Sequence, residues 1–361
     1  MSLIVENLGK TVEGEVHLAD IDLAFEKGGF YVLLGPTLSG KTSLLRLLAG
    51  LDRPSAGRIL LDGRDTIGTP VWKRRVSMVY QQFINYPNLT IYDNIAFPLR
   101  RMGLSPSDVD AKVRGAAEML GISELLERKP GGISGGQQQR TALARALVKG
   151  SDLLLLDEPL INLDYKLREQ LRDEFKNIFS DNLDSIVVYS TTEPIEALML
   201  GGEVVVLNEG RQLQTGPTHA VFRRPATEAV ARVFNDPPMN MIDGTVADDH
   251  LLLGGGLRLP KLAHLAGLAP GAYRFGIRAS DLGLARGGAN DVAFDITVEL
   301  AEISGSETFI HARHADVSWV IQEEGVHTYP LGELIPAYLD PRNLYAFASD
   351  GRLAAAPAAG V

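Results

Sequence analysis

The run Gly35-Pro-Thr-Leu-Ser-Gly-Lys-Thr42 gathers two glycines, a lysine and several hydroxyls into one short loop. Glycines let a backbone curl until several N–H groups face one point, a lysine adds a full positive charge, and a hydroxyl offers an oxygen to a hard cation. The chemistry this suits is the holding of a polyphosphate together with Mg²⁺. Gly35, Pro36, Thr37, Leu38, Ser39, Gly40, Lys41, Thr42 and Ser43 are therefore candidate phosphate-binding residues. Pro36 and Leu38 vary inside the loop without removing a required group.

Two further clusters complement the loop. Leu153-Leu-Leu-Leu-Asp-Glu-Pro159 is an apolar run that ends in a pair of carboxylates. Asp157 is suited to holding Mg²⁺, usually through water, and Glu158 to polarising an attacking water. A plain strand end is the simpler account of such a pair, and the phosphate loop upstream favours the catalytic one. Gln81 follows the apolar stretch 76–79 and can reach both metal and water; Gln82 stands beside it, and residue type alone does not separate them. The metal set is thus Thr42, Gln81 and Asp157. Ser134-Gly135-Gly136-Gln137 has the spacing of a capping box at a helix start. It also leaves bare N–H groups and a hydroxyl at a positive helix end, suited to gripping a γ-phosphate.

The elements that must position these groups follow from apolar periodicity. Residues 2–8 and 15–25 alternate as strands. Residues 30–34 form a short apolar strand feeding the loop, and 43–49 a helix stopped by Gly50. Strands are expected at 76–79, 153–156, 186–189 and 204–207, with a helix at 136–148. Between about 87 and 145 the pattern is helical, an insertion into an α/β domain with a mostly parallel sheet. Near Pro237-Pro238 the texture changes to short strands at 273–277, 292–300, 308–311 and 318–321. The division expected is 1–236 for the first domain and 237–361 for a small C-terminal all-β barrel, with 353–361 a frayed end.

Composition fits two folded domains: 361 residues, 45% apolar and 22% charged. A net charge of −10 argues against nucleic acid as a main ligand. The absence of cysteine removes disulfides and thiol chemistry and fits a reducing compartment. No apolar run approaches the ~20 residues needed to span a bilayer, and the start lacks the pattern of a signal peptide. Contact with a membrane is expected only through other proteins.

Ile-Ser-Gly-Gly-Gln-Gln-Gln-Arg at 133–140, with the carboxylate-ending run downstream, resembles the ATP-binding cassette ATPases. That resemblance covers nearly the whole chain. It implies a phosphate-loop ATPase domain with a helical insertion, followed by an oligonucleotide-binding-like barrel that gives dimer or regulatory contacts. It implies ATP and Mg²⁺ as cofactors. Two ATPase domains close head to tail, so that Ser134, Gly135, Gly136 and Gln137 act on the partner's ATP. The branch is that of sugar and polyol importers, carried by residues 85–100, 223–240, 276–282, 299–310 and 339–351. The implied partners are a second ATPase, two transmembrane permease subunits and a periplasmic solute-binding protein, at the cytoplasmic face of a bacterial inner membrane. His311 and His314 are read as ordinary strand residues.

Three positions depart from the family pattern. Thr192 stands where a switch histidine is expected, and threonine neither reaches as far nor carries a proton near neutral pH. Val12 stands on the adenine side where an aromatic residue usually stacks the base, a contact worth roughly 1–3 kcal/mol on nucleic-acid platforms. Ile161, in the loop Leu160-Ile-Asn-Leu-Asp164, replaces a serine. Glu158, Gln81 and Thr192 are the catalytic candidates. The altered set suggests one half of a non-identical ATPase pair, and Ser-Thr-Thr-Glu-Pro-Ile-Glu-Ala-Leu at 190–198 resembles the paired ATPases of glycerol importers. The alternatives are a homodimeric ATPase of a sugar or glycerol-phosphate importer, and a weakly hydrolytic nucleotide-gated regulatory or scaffolding subunit.

Overall fold

In this computed structural model the described residues are 2–161, 168–169, 171–172, 175 and 185–358. They divide into two compact units, Met1–Thr218 and His219–Val361.

In the first unit, β1 (Ser2–Val12) and β2 (Glu15–Glu26) form an antiparallel hairpin with Leu3 opposite Phe25 and Val5 opposite Leu23. Their connection is two residues long, and Glu13 and Gly14 take φ of 52° and 90°. Positive φ at both positions is the turn that matches strand twist. β3 (Phe30–Leu34) leads into the phosphate loop and α1 (Lys41–Ala49), which Gly50 ends in a left-handed cap. β4 (Ala56–Leu61) and β5 (Arg64–Asp65) join the hairpin in a four-stranded antiparallel sheet of order β2-β1-β4-β5, which local periodicity does not reveal.

β6 (Val76–Val79), β7 (Leu153–Asp157), β8 (Ile186–Thr191), β9 (Glu203–Asn208) and β10 (Arg211–Pro217) complete a second sheet of order β10-β9-β3-β8-β7-β6. Every pairing in it is parallel except β9 with β10. β7 and β8 are buried along their whole length, which explains their unbroken apolar runs. Leu33, Leu44, Leu155 and Val188 share one core beneath the sheet. Between β6 and β7 the chain is helical: α2 (Ile91–Arg101), α3 (Pro106–Met119) and α4 (Gly135–Val148). Thr90 caps α2, and Ser105 caps α3 with Pro106 behind it, the expected start signals. α5 (Pro194–Leu200) follows β8. The phosphate loop, Gln81, Asp157–Glu158 and Thr192 all leave the carboxyl ends of parallel strands, where such sheets present their ligands.

The second unit is a nearly closed antiparallel barrel made of a six-stranded and a five-stranded sheet. Phe275, Ile310, Trp319 and Ile321 are fully buried in its core. The second unit begins at His219, and residues 222–235 are bound to it. Glu228 donates its N–H to the Gly351 carbonyl (2.9 Å), and the Arg278 guanidinium lies 4.0 Å from the Phe222 ring centroid. The expected fray does not begin at 353, and residues 359–361 lie outside the described residues. Leu353–Ala355 is a strand with Ala346 opposite Ala355, and Leu353 N–H reaches the Ala226 carbonyl at 3.0 Å. Small side chains suit that close packing. Deleting residues 353–361 is expected to lower the melting temperature by several degrees in calorimetry; an unchanged melt would show that the strand contributes nothing.

Candidate functional site

Burial of Lys41 organises the loop. Its side chain is 3% exposed, and Nζ lies 2.8 Å from the Gly35 carbonyl, 3.0 Å from that of Pro36 and 3.3 Å from Glu158 Oε1. Burial pushes this ammonium's pKa down, opposed by the charges of Glu158 and Asp157. Glycine is required at two points. A Cβ on Gly35 would stand 2.2 Å from the Leu207 carbonyl, and Gly40 has φ of +100° with Leu18 2.7 Å from its would-be Cβ. Gly40 is also the N-cap of α1 and provides no side-chain cap. The first-turn N–H groups of α1 therefore have neither an intrahelical partner nor a side-chain cap and are suited to an anion.

Asp157 is 2% exposed, and its Oδ1 accepts from Thr42 Oγ1 (3.1 Å) and Ser190 Oγ (2.9 Å). Burial raises its carboxyl pKa against the lowering effect of those two bonds. Glu158 has φ of 45°, and its N–H donates to Ser190 Oγ at 3.0 Å. One carboxylate oxygen faces Lys41, and the other accepts from Gln81 Nε2 at 3.3 Å. This places Gln81, rather than Gln82, at the site. Ser190 escaped sequence reasoning: it reaches Asp157 only because β7 and β8 are neighbours with these two residues in register.

Thr192 lines a small recess with Glu158, Ile161, Glu193 and Glu196. Its flanks are pinned. Glu196, 4% exposed, accepts from Thr191 Oγ1 (2.6 Å), Tyr189 OH (3.0 Å) and Arg172 (3.3 Å). Glu193 pairs with Arg172 at 2.5 Å and with Arg168, and its N–H donates to Thr191 Oγ1 at 3.0 Å. Burial, then the Glu196 charge, holds the Tyr189 phenol far above its ordinary pKa. Ile161 is 39% exposed, and Asn162, Leu163 and Asp164 lie outside the described residues.

A cavity of ≈ 490 Å³ opens over Lys41, Thr42, Gln81 and Glu158. Thr37, Leu38, Ser39 and Ser43 border it, and Ser39 Oγ is buried without a hydrogen-bond partner. Buried cation, uncapped helix start and oxygen donors at Thr42, Gln81 and Asp157 fit a magnesium-bound polyphosphate. Glu15, Val16 and His17 line the cavity, and Val12, 38% exposed and paired with Glu15 across the hairpin, does not. Ser134, Gly135, Gly136 and Gln137 are absent from this wall. They form the capping box of α4, with Gln137 N–H on Ser134 Oγ (3.3 Å) and Ser134 N–H on Gln137 Oε1 (3.0 Å).

Elsewhere in the same unit, a groove of ≈ 680 Å³ is bordered by Tyr86, Phe97, Met102, Arg101 and a Trp72 that is 83% exposed. Among the described residues no helix is long and apolar enough to cross a membrane, and no three His, Cys, Asp or Glu side chains gather into a metal-holding group.

Asp157→Asn preserves an acceptor for Thr42 and Ser190 while removing a buried charge. Because the folded state raises the carboxyl pKa, ionisation penalises folding above the ordinary carboxylate range, and the penalty vanishes below it. The variant is expected to lose magnesium-dependent turnover. Without added nucleotide it should melt at a higher temperature at pH 7. That gain should shrink as the pH falls towards 4, measured by calorimetry across pH.

The family model described as ABC transporter matches residues 18–161. Over 97% of this chain and 98% of its own length, the sn-glycerol-3-phosphate import ATP-binding protein UgpC of Rhodopseudomonas palustris is 36% identical. The trehalose/maltose import ATP-binding protein MalK of Thermococcus litoralis is 39% identical over 86% of this chain and 87% of its own. A dimeric bacterial ABC transporter cassette, MJ0796, superposes with a TM-score of 0.55 at 26% identity, covering 60% of this chain and 98% of that one. The same cassette is also solved as a post-hydrolysis dimer bound to ADP and Pi, with a TM-score of 0.54, 26% identity and the same coverage. This chain belongs to the ATP-binding cassette ATPases, which bind ATP with Mg²⁺, and is homologous to importer ATPases of the sugar and polyol type.

Proposed function

We propose that this ATPase drives uptake of glycerol or a related polyol as the slower half of a non-identical ATPase pair, working peripherally at the cytoplasmic face of a bacterial inner membrane. Mg²⁺-bound ATP supplies a polarised terminal phosphate when it occupies the site. Lys41 and the first-turn N–H groups of α1 hold the phosphate chain, and Thr42, Gln81 and Asp157 hold the metal. Glu158 orients the attacking water and accepts its proton, with Gln81 steadying the carboxylate. Ser134, Gly135, Gly136 and Gln137 complete the partner's ATP site. Thr192 replaces an imidazole with a single hydroxyl.

The observation that carries the asymmetry is the pinning of Thr192 between Thr191 and Glu193, both tied into the buried Glu196–Arg172 network. A residue so fixed cannot swing to make up for a shorter side chain. Import of a sugar or polyol is supported by the similarity to UgpC, an sn-glycerol-3-phosphate import protein, and MalK, a trehalose/maltose import protein. Glycerol itself rests on the resemblance at residues 190–198, because permeases and a periplasmic binding protein select the solute. The aromatic groove around Trp72 suits a permease segment, and the barrel unit suits dimer or regulatory contacts.

The test uses complexes purified with their native membrane partners. A second, different ATPase is expected. Substituting Ser134 here, or the partner's catalytic glutamate, should cripple transport more than Glu158→Gln. Thr192→His should raise turnover at this chain's site about tenfold. Recovery of this ATPase alone in two equally active copies would instead establish the homodimer.

A further inference from the structure

Leu38 is adverse in two ways at once. Its φ is 67°, in the left-handed region where a Cβ crowds the backbone, and its side chain is 93% exposed. The loop holds it there: Ser39 N–H closes on the Pro36 carbonyl at 3.1 Å, and Lys41 Nζ binds the carbonyls of Gly35 and Pro36 from beneath. Val16, 61% exposed, and Ile161, 39% exposed, border the same cavity mouth. Three apolar side chains therefore ring the opening of a site built for a polyanion. A phosphate chain gives a leucine no apolar surface to bury against.

The signature segment has the opposite character. Beside Ser134, the positions of Gly131 and Gly132 are open where a Cβ would stand, with nothing within 4 Å, and at Gly135 the first neighbour is the Phe83 ring at 3.7 Å. This is a patch of bare backbone that a projecting side chain can approach closely. In the composite site proposed above, the phosphate loop of one ATPase faces the signature of the other.

We propose that Leu38 is an apolar knob that seats on the glycine flat beside the signature of the second ATPase when ATP closes the pair. The occupant is a signature surface bare of side chains, of the kind this chain itself presents at Gly131, Gly132 and Gly135. The inference rests on the composite-site reading above. It assigns a persistent backbone strain to a contact that exists only in the closed pair, which is where such strain is expected to be useful.

Because the chain has no cysteine, single-cysteine variants report cleanly. In the complex purified with its membrane partners, a non-hydrolysable ATP analogue with Mg²⁺ should slow maleimide labelling of Leu38→Cys at least tenfold. Labelling of Leu331→Cys, at a barrel position 72% exposed, should not change. In the dilute isolated chain the analogue should change Leu38→Cys labelling less than about twofold. Leu38→Gly and Leu38→Ala should each lower turnover of the complex about tenfold. Only Leu38→Gly should raise the melting temperature, since it alone relieves the strain. Labelling unslowed by nucleotide overturns the proposal, as does equal protection in the isolated chain or undiminished turnover in Leu38→Ala. Failure of the unsubstituted complex to bind the analogue overturns the ATP-site reading itself, and is seen before any labelling.

Discussion

A buried ammonium is the constraint on which the rest of the first unit depends. Lys41 can lie at 3% exposure only if its charge is met, and two backbone carbonyls and Glu158 meet it. The carbonyls of Gly35 and Pro36 reach Nζ only because the loop curls, and the curl requires glycine at 35 and 40. Glu158 reaches it only because β7 ends level with β3, with β8 between them in the sheet. Sheet order, loop conformation and catalytic carboxylate are thus different consequences of placing one cation.

That arrangement also makes the Lys41 ammonium a shared group. A single ammonium has two claimants, the carboxylate at 3.3 Å and any phosphate entering the cavity. A phosphate chain that draws Lys41 towards itself loosens the ion pair between Lys41 and Glu158. Gln81 retains its hold on the other oxygen and preserves orientation while the pairing changes.

The legible parts of the sequence were those whose cause is local. The glycine spacing of the phosphate loop, the capping box at Ser134 and the unbroken apolar runs of β3, β7 and β8 each result from neighbours within a few residues. Ser190 and Glu196 were illegible for the opposite reason. Ser190 matters through its register with Asp157, and Glu196 through Arg172 and Tyr189, so both depend on which strands and helices become neighbours. The first sheet's β4 and β5 and the strand Leu353–Ala355 were missed likewise. An alanine-rich tail carries little periodic signal, although small side chains are what a tight edge pairing needs. The choice between Gln81 and Gln82 needed only the direction in which one strand end points.

Thr192 shows how a substitution acquires meaning from its surroundings. In a mobile loop, replacing imidazole with a hydroxyl would cost reach that backbone motion could restore. Here Thr191 is bonded to a carboxylate that is 4% exposed, and Glu193 to two arginines. Removing one partner from such a buried charged network costs about 3–5 kcal/mol, so displacement of the loop is opposed by an energy comparable with a large share of a domain's stability. Its position is therefore preserved while its chemistry is changed. In the unequal pair proposed above, a hydroxyl so held beside Glu158 favours holding nucleotide over turning it over, and the signature lent to the partner gains weight over the site built on Lys41.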